Sequence, residues 1–129
     1  MKMMENFRDF HVADPFGRRW HVQFKYNQNG ISIRHSDSVD VGYLLSDGTE
    51  KIKRVVVLHH PMLVEYTHRK GTILSDTWCS RIAAIKLRRT VEEAGDLDRE
   101  FLQVSSADLE SCDAELRKWE EQWLKDHAA

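Results

Sequence analysis

The sequence feature that most constrains the fold is a run of four successive apolar residues, Val55-Val56-Val57-Leu58. Successive side chains of a strand point to opposite faces of its sheet, so a strand covered on one face alternates apolar and polar residues. A continuous apolar run rich in β-branched residues therefore predicts a central strand that is covered on both faces. Pro61, which lacks a backbone N–H, predicts where this strand ends.

The sequence before this run predicts antiparallel strands. Residues 10–13 alternate and lead into Asp14-Pro15-Phe16-Gly17, a combination typical of a type I turn. Residues 20–26 follow a period-two pattern that predicts a strand with four large apolar side chains on one face: Trp20, Val22, Phe24 and Tyr26.

The dipeptide Asn29-Gly30 predicts a hairpin, because both central residues of a type I′ turn need a positive φ. As a two-residue loop it would place Tyr26 opposite Ile33, and the apolar faces of the two strands would match. A second two-residue hairpin is predicted at Asp47-Gly48, where it would place Tyr43 opposite Ile52. Residues 10–60 are thus expected to form an antiparallel meander of four or five strands.

After Pro61 the pattern favours helices. Pro61 at the first helical position and Gly71 beyond the last predict a short helix, with a further strand over Met62–His68 as the alternative. A second helix is predicted between Ser75 as its N-cap and Gly95 as its C-cap.

Residues 95–104 predict a connector, with a turn of helix at Asp98–Leu102 as one option. A last helix is expected from Ser105 or Ser106 to about Asp126. Its apolar residues are spaced 3, 4, 3 and 4 and form one stripe: Leu109, Cys112, Leu116, Trp119 and Trp123.

Together these elements predict a single α+β domain, since 129 residues suffice to bury one core. The antiparallel β-meander over residues 10–60 is followed by two or three C-terminal helices packed on one face. Residues 61–95 would form a helical hairpin, or a short helix and a long one, and residues 105–127 an amphipathic helix. Covering the second face of the central strand would need sheet curvature or a second subunit.

The net charge of −2 hides an asymmetry along the chain. Residues 1–90 carry 15 Lys/Arg and 9 Asp/Glu, a net charge of +6, whereas residues 91–129 carry 4 and 12, a net charge of −8. This pattern is typical either of a basic body that binds a partner beside an acidic tail, or of two solvated faces that partly neutralise each other.

The sequence contains no Gly-rich phosphate loop, nucleophile elbow or His-Glu-x-x-His motif. Cys79 could pair with a histidine as a nucleophile, but its apolar neighbours predict a buried thiol, and Cys112 lies on the apolar stripe. His59-His60 could form a metal corner with His68 or Cys79, yet adjacent strand residues point to opposite faces. We therefore predict no catalytic residue, no cofactor and no metal site.

The apolar stripe of the last helix predicts self-association. Tryptophan buries a large area and is enriched at interfaces, so two tryptophans exceed what docking one terminal helix needs. The predicted interface residues are Leu109, Leu116, Trp119 and Trp123. The chain is accordingly predicted to be a small non-enzymatic interaction or adaptor protein that forms a homodimer or binds a protein partner.

A nucleic-acid-associated protein is the second prediction, and an enzyme of unknown type the third. Four cations of the second predicted helix share much of its polar side and could contact phosphates: Arg81, Lys86, Arg88 and Arg89. No apolar run reaches the roughly 20 residues of a membrane helix, so no membrane association is predicted. Without a signal peptide or a disulfide framework, the chain is expected in the cytoplasm.

Overall fold

The computed structural model of the chain describes residues 6–30, 37–95 and 97–127. The elements of these residues are β1 (Asp9–Ala13), β2 (Arg19–Gly30), β3 (Ser38–Ser46), β4 (Lys51–His59), α1 (His60–Lys70), α2 (Asp76–Glu92), β5 (Phe101–Gln103) and α3 (Ser106–His127). The five strands form one sheet in the order β1 to β5, antiparallel throughout except that β5 runs parallel to β4. The predicted α+β architecture, a β-meander followed by helices, is confirmed.

One face of the sheet carries the core. Helix α2 contacts β1, β3 and β4, α1 contacts β4, and α3 packs on α2. Strands and helices all contribute fully buried side chains to this core, among them Val22, Leu45, Leu58, Leu63, Ile82 and Leu109. The helices therefore lie on one side of the sheet, as predicted.

The central run occupies β4 and is buried on both faces, as its composition predicts. Val56 and Leu58 belong to the core under the helices, whereas Val55 and Val57 alternate with them and point to the opposite face. Val55 and Val57 nevertheless expose only 6% and 8% of their surface. This burial is present in the single chain, so it does not require a second subunit.

A β-bulge in β2 overturns one prediction. Phe24 pairs with Tyr43 and Tyr26 pairs with Gly42, so Lys25 is an extra residue without a partner on β3. An extra residue reverses which side chains of the following segment face each side of the sheet. Tyr26 therefore lies on the face away from the helices, although strict alternation predicts that it shares the face of Phe24.

The position after the bulge confirms this reversal. Asn27 now points to the helices, where its side-chain amide donates to Ser80 Oγ (2.9 Å) and to the backbone oxygen of Asp76 (3.1 Å). These two bonds hold β2 to the first turn of α2. Strict alternation in β2 would place Asn27 on the opposite face, where it could not reach α2.

The predicted hairpin at Asn29-Gly30 is wrong. Both residues continue β2 and pair with Val39 and Ser38 of β3. Pairing along the whole of β3 adds ladder hydrogen bonds, and this gain outweighs the local preference of the dipeptide for a turn. Ile33, the expected partner of Tyr26, lies outside the described residues.

The second predicted hairpin, at Asp47-Gly48, forms with a four-residue loop in place of a two-residue one. Leu45 pairs with Ile52, which shifts the predicted register by two residues and leaves the predicted faces unchanged. The aspartate carboxylate accepts hydrogen bonds from the backbone N–H groups of Thr49 (3.0 Å) and Glu50 (2.7 Å). These bonds stabilise the longer loop.

Helices α1 and α3 begin and end close to the predicted residues. Residues 62–68 are helical, and Gly71 caps α1 in the left-handed conformation with a φ of 67°. At the start of α3, Ser105 Oγ accepts from the Asp108 backbone N–H (3.1 Å) and the Asp108 carboxylate accepts from the Ser105 backbone N–H (3.0 Å). This reciprocal pair is a capping box.

The C-terminus of α2 differs from the prediction by one residue. Ala94, and not Gly95, adopts the left-handed conformation, with a φ of 49°. The Ala94 N–H donates to the Val91 oxygen (3.2 Å) and the Gly95 N–H donates to the Thr90 oxygen (2.8 Å). These two bonds define a Schellman motif with alanine at the position that glycine usually occupies.

The connector after α2 contains β5 and no helical turn at Asp98–Leu102. The strand pairs with β4, and the Val104 N–H that follows it donates to the Val57 oxygen (3.1 Å). Leu102 enters the core and is 4% exposed. Three residues are too few to show a period, so the sequence pattern could not distinguish this strand from a loop.

Candidate functional site

The two surfaces that the sequence predicted lie against each other. Arg88 of α2 is buried, and its Nη2 contacts both carboxylate oxygens of Glu115 of α3, at 2.9 and 2.7 Å. Arg89 approaches the same carboxylate at 2.8 Å and donates to Ser111 Oγ at 2.7 Å. The acidic last helix thus neutralises these cations within the chain.

The other two predicted phosphate contacts also pair with α3. Lys86 Nζ lies 3.0 Å from Asp108 Oδ2, and Arg81 Nη1 lies 3.6 Å from Glu120 Oε1. Burial alone raises the pKa of the Asp108 carboxyl, but the Ser105 hydrogen bonds and the Lys86 ammonium outweigh it and lower the pKa overall. The four cations of α2 are therefore spread along α3, each beside a carboxylate of that helix.

Most of the predicted interface lies inside the chain. Leu109, Leu116 and Trp119 are buried in the core or at its border. Trp119 contacts Phe7, with ring centroids 5.6 Å apart, and lies under the guanidinium of Arg88. These residues dock α3 onto α2.

Only the last turns of α3 keep part of the stripe exposed. Trp123 exposes 56% of its surface and stacks on the ring of His127 with centroids 4.2 Å apart. Leu124 beside it is also exposed. This small patch is what remains of the predicted interface at the surface.

A buried carboxylate of α3 joins the three helices. Asp113 of α3 accepts hydrogen bonds from the Tyr66 hydroxyl (2.6 Å) and from Trp78 Nε1 (3.1 Å). Arg117, one turn later, donates to it at 3.0 Å. Burial raises the pKa of the Tyr66 hydroxyl, and the Asp113 carboxylate raises it further. Because the hydrogen bonds of this carboxylate are all made within the helices, we interpret it as structural.

The cysteines are unsuited to nucleophilic chemistry. Burial raises the pKa of the Cys79 thiol to about 12 and that of the Cys112 thiol to about 11. The thiolate, which is the reactive form, is therefore scarce near neutral pH.

Among the described residues, no group of three or more His, Cys, Asp or Glu side chains is placed to hold a metal ion. His59 Nε2 instead lies 2.7 Å from Gln103 Oε1.

The face of the sheet away from the core carries a different kind of surface. No helix of the described residues packs against it, and its apolar side chains come from four strands: Tyr26, Leu44, Val55, Val57 and Phe101. We call this surface the helix-free face. Tyr26 and Phe101 expose 42% and 53% of their surface, which is uncommon for large rings on a sheet.

Tyr26 and Phe101 lie on one cross-strand row, which we call the aromatic row. Tyr26 pairs with Gly42, Gly42 with Val55, and Val55 with Phe101. Three inter-strand steps place the Cα atoms of the two aromatic residues about 14 Å apart. Gly42 is buried under the ring of Tyr26, so any side chain there would overlap the ring. The bulge and the glycine together present Tyr26 at the surface.

Unpaired cations adjoin the aromatic row. Lys53 lies one row away, Lys51 and Arg19 lie further along the same face, and Lys25 occupies the bulge. All are exposed, and within the described part of the chain none of these four forms an ion pair.

The carboxylates of the same face are already engaged. Asp9 lies 2.5 Å from His21 Nε2, and Asp40 accepts a hydrogen bond from Ser38 Oγ at 2.9 Å. The ring of His21 also stacks on that of His11, with centroids 4.5 Å apart. The four cations against these two carboxylates give the face a net formal charge of +2, in contrast to the neutralised contact between α2 and α3.

The sequence pattern did not predict this surface, because strict alternation along β2 places Tyr26 on the same face as Phe24. The one signal that points to it is Gly42, since glycine inside a strand often marks a bulge or a close approach.

Comparisons of the chain with protein-family models, with curated proteins and with solved structures each find no match. None of the described helices is long and apolar enough to cross a membrane.

Proposed function

We propose that this chain is a non-enzymatic interaction protein that works, and weakly self-associates, through the helix-free face. The observation that carries the proposal is the aromatic row. A bulge and a glycine place Tyr26 beside the solvent in line with Phe101, where neither ring contributes to the core cluster. Bulges that re-aim a side chain and exposed apolar patches are both typical of binding surfaces.

Self-association is the interaction that can be measured without knowing a partner. Two copies that meet through this face would cover the exposed rings of both. Lysine is depleted at the centres of protein–protein interfaces, and here Lys53 adjoins the aromatic row. We therefore expect a weak dimer, with a dissociation constant of about 10–100 μM, well short of nanomolar affinity.

The alternative, a phosphate-binding surface on α2, has less support. Each of its four cations lies within ion-pair distance of a carboxylate of α3. A phosphate would have to displace a carboxylate that is held in place by a packed helix. This cost falls most heavily on Arg88, which is buried with its partner.

Sedimentation velocity over protein concentrations from about 5 to 500 μM tests the proposal. The intact chain should shift from monomer towards dimer, and the double variant Tyr26→Ser/Phe101→Ser should remain monomeric. Trp123→Ser is the matched control, since it removes an exposed ring outside the face and should leave the dimer unchanged. Monomer at every concentration, or a dimer lost in Trp123→Ser only, would overturn self-association through this face.

A further inference from the structure

We infer that the partner of the helix-free face is single-stranded nucleic acid, with bases stacked on Tyr26 and Phe101 and phosphates near the adjacent lysines. The inference rests on the proposal that this face is the interaction surface, and it names the chemistry of the occupant. A second copy of the chain would compete with the nucleic acid for the same rings.

The aromatic row supplies the first argument. Exposed rings on an open sheet are stacking platforms for bases, which bind such rings with little regard to sequence. Loss of one such contact weakens binding about 5- to 150-fold. Tyr26 and Phe101 lie at opposite ends of the row, with only Gly42 and Val55 between them. The ring of Tyr26 covers Gly42, so Val55 is the one residue of the row between that ring and Phe101.

The shape of the surface distinguishes single strands from duplexes. The major groove of B-DNA is about 12 Å wide and admits a helix or a two-stranded ribbon, whereas the helix-free face spans five strands. Bases in a duplex are stacked on one another and cannot reach rings on a flat sheet. Bases of a single strand can splay apart and stack on two separate rings, whose Cα atoms lie about 14 Å apart.

The charge on the face supplies the second argument. Lys51 and Lys53 lie on the same side of the aromatic row, with Lys25 at the bulge and Arg19 beyond, and none has an ion-pair partner within the described residues. Elsewhere in the molecule the cations of α2 are neutralised by α3. Four cations without an ion pair thus lie beside the exposed rings, which suits an anionic ligand that carries planar bases.

These contacts also set the expected salt dependence. Three or four phosphates neutralised by lysine or arginine would give log K against log salt a slope of about −2 to −3 for a single strand. Binding carried mainly by phosphates would be weak, with a dissociation constant of roughly 1–100 μM. The side-chain amides of Gln23 and Gln28 lie on the same face and can reach base edges.

Fluorescence anisotropy with the full chain at about 50 mM salt, where electrostatic binding is strong, tests the inference. The probes are labelled dT12, rU12 and a 12-base-pair duplex. The single strands should bind and the duplex should bind at least tenfold more weakly. Tyr26→Ser and Phe101→Ser should each weaken binding about 5- to 150-fold. Tyr26→Phe keeps the ring and should stay within about twofold.

Two controls separate the face from the rest of the surface. Trp123→Ser and Lys118→Gln change an exposed ring and an exposed cation of α3, and neither should alter binding. Lys51→Gln with Lys53→Gln should flatten the salt slope by about 1.4. Circular dichroism should show unchanged helix content in every variant, because the substituted side chains are exposed.

The outcomes are distinguishable from those of the self-association experiment. The inference would be overturned if duplex and single strand bind equally, or if neither binds. It would also be overturned if neither Tyr26→Ser nor Phe101→Ser changes the affinity for the single strands. If oligonucleotides fail to bind but the same two variants abolish the dimer, the inference fails and the proposed function stands. If neither oligonucleotide binding nor self-association responds to these variants, both fail.

Discussion

The ring of Tyr26 lies directly over Gly42, so closely that no Cβ atom fits between them. Gly42→Ala should therefore displace the ring and cost about 1–3 kcal/mol of unfolding free energy, as overpacking does. The displaced ring should also weaken binding of dT12 at the helix-free face. Urea denaturation and anisotropy measure the two effects separately.

The same substitution in a Tyr26→Ser background is the matched control. Without the ring, alanine meets no obstacle and should be neutral or stabilising, since glycine inside a strand costs about 0.5–1 kcal/mol relative to alanine. An equal cost of Gly42→Ala in both backgrounds would show that the glycine is needed for a reason other than the ring.

Arg88 and Glu115 form a buried ion pair, and breaking it should be costly. Glu115→Ala leaves the buried Arg88 guanidinium with only the half-exposed Glu92 carboxylate, 3.3 Å from its Nε, and should destabilise the fold by about 3 kcal/mol. Glu120→Ala removes the exposed partner of Arg81 and should cost at most about 1 kcal/mol. Urea denaturation measures the free energy of unfolding of both variants. A similar decrease in the two would contradict the view that Arg88 anchors α3.

Ala94 holds a left-handed conformation that glycine adopts more easily. The conformation costs alanine about 1–2 kcal/mol, and the extra chain entropy of glycine offsets part of the gain. Ala94→Gly should therefore raise the unfolding free energy by about 0.5–1 kcal/mol. Ala114→Gly, on an exposed position inside α3, should lower it by about 1 kcal/mol. The prediction fails if both substitutions change stability with the same sign.

Asp47 makes the loop between β3 and β4 sensitive to acid. The backbone N–H groups of Glu50 and Thr49, followed by the Arg18 guanidinium, hold the pKa of its carboxyl well below the usual value of about 4. The folded-state pKa is thus lower than the unfolded-state pKa. Its stabilising contribution is complete above about pH 4 and is lost as the pH falls through the folded-state pKa.

The thermal stability of Asp47→Asn measures this effect. The variant should unfold at a lower temperature than the intact chain at pH 7, and the difference should shrink steadily below pH 4. A difference between the two proteins that is constant from pH 7 to pH 2 would show that the charge on Asp47 does not contribute.

Local signals were sufficient for the helices and for the central strand. The run at Val55–Leu58, the N-cap at Ser75 and the glycine after α1 each act within a few residues, and the structure has them where the pattern places them. The spacing of Leu109, Leu116 and their neighbours indicated one apolar stripe, which we interpreted as an interface with a second copy. That spacing could not reveal that α2 of the same chain covers the stripe, because the spacing of apolar residues along a helix does not identify what packs against them.

The candidate site depends on tertiary contacts that no local pattern contains. The bulge at Lys25 reverses the faces of β2 and turns Asn27 towards α2, where it bonds to Ser80, about 50 residues away in sequence. Phe101 reaches the aromatic row only because a three-residue strand pairs with β4 across a helical connection. Alternation read along β2 alone therefore assigned Tyr26 to the core.

We propose that the helix-free face, and not the basic side of α2, binds single-stranded nucleic acid. A titration of the ¹⁵N-labelled full chain with dT12, followed by heteronuclear NMR, locates the binding surface. We expect shifts of the amides of Tyr26, Gly42, Lys53 and Phe101, with the amides of Arg81–Arg89 unmoved. Shifts confined to α2 and α3, or no shifts at a dT12 concentration near 1 mM, well above the roughly 1–100 μM dissociation constant expected, would contradict it.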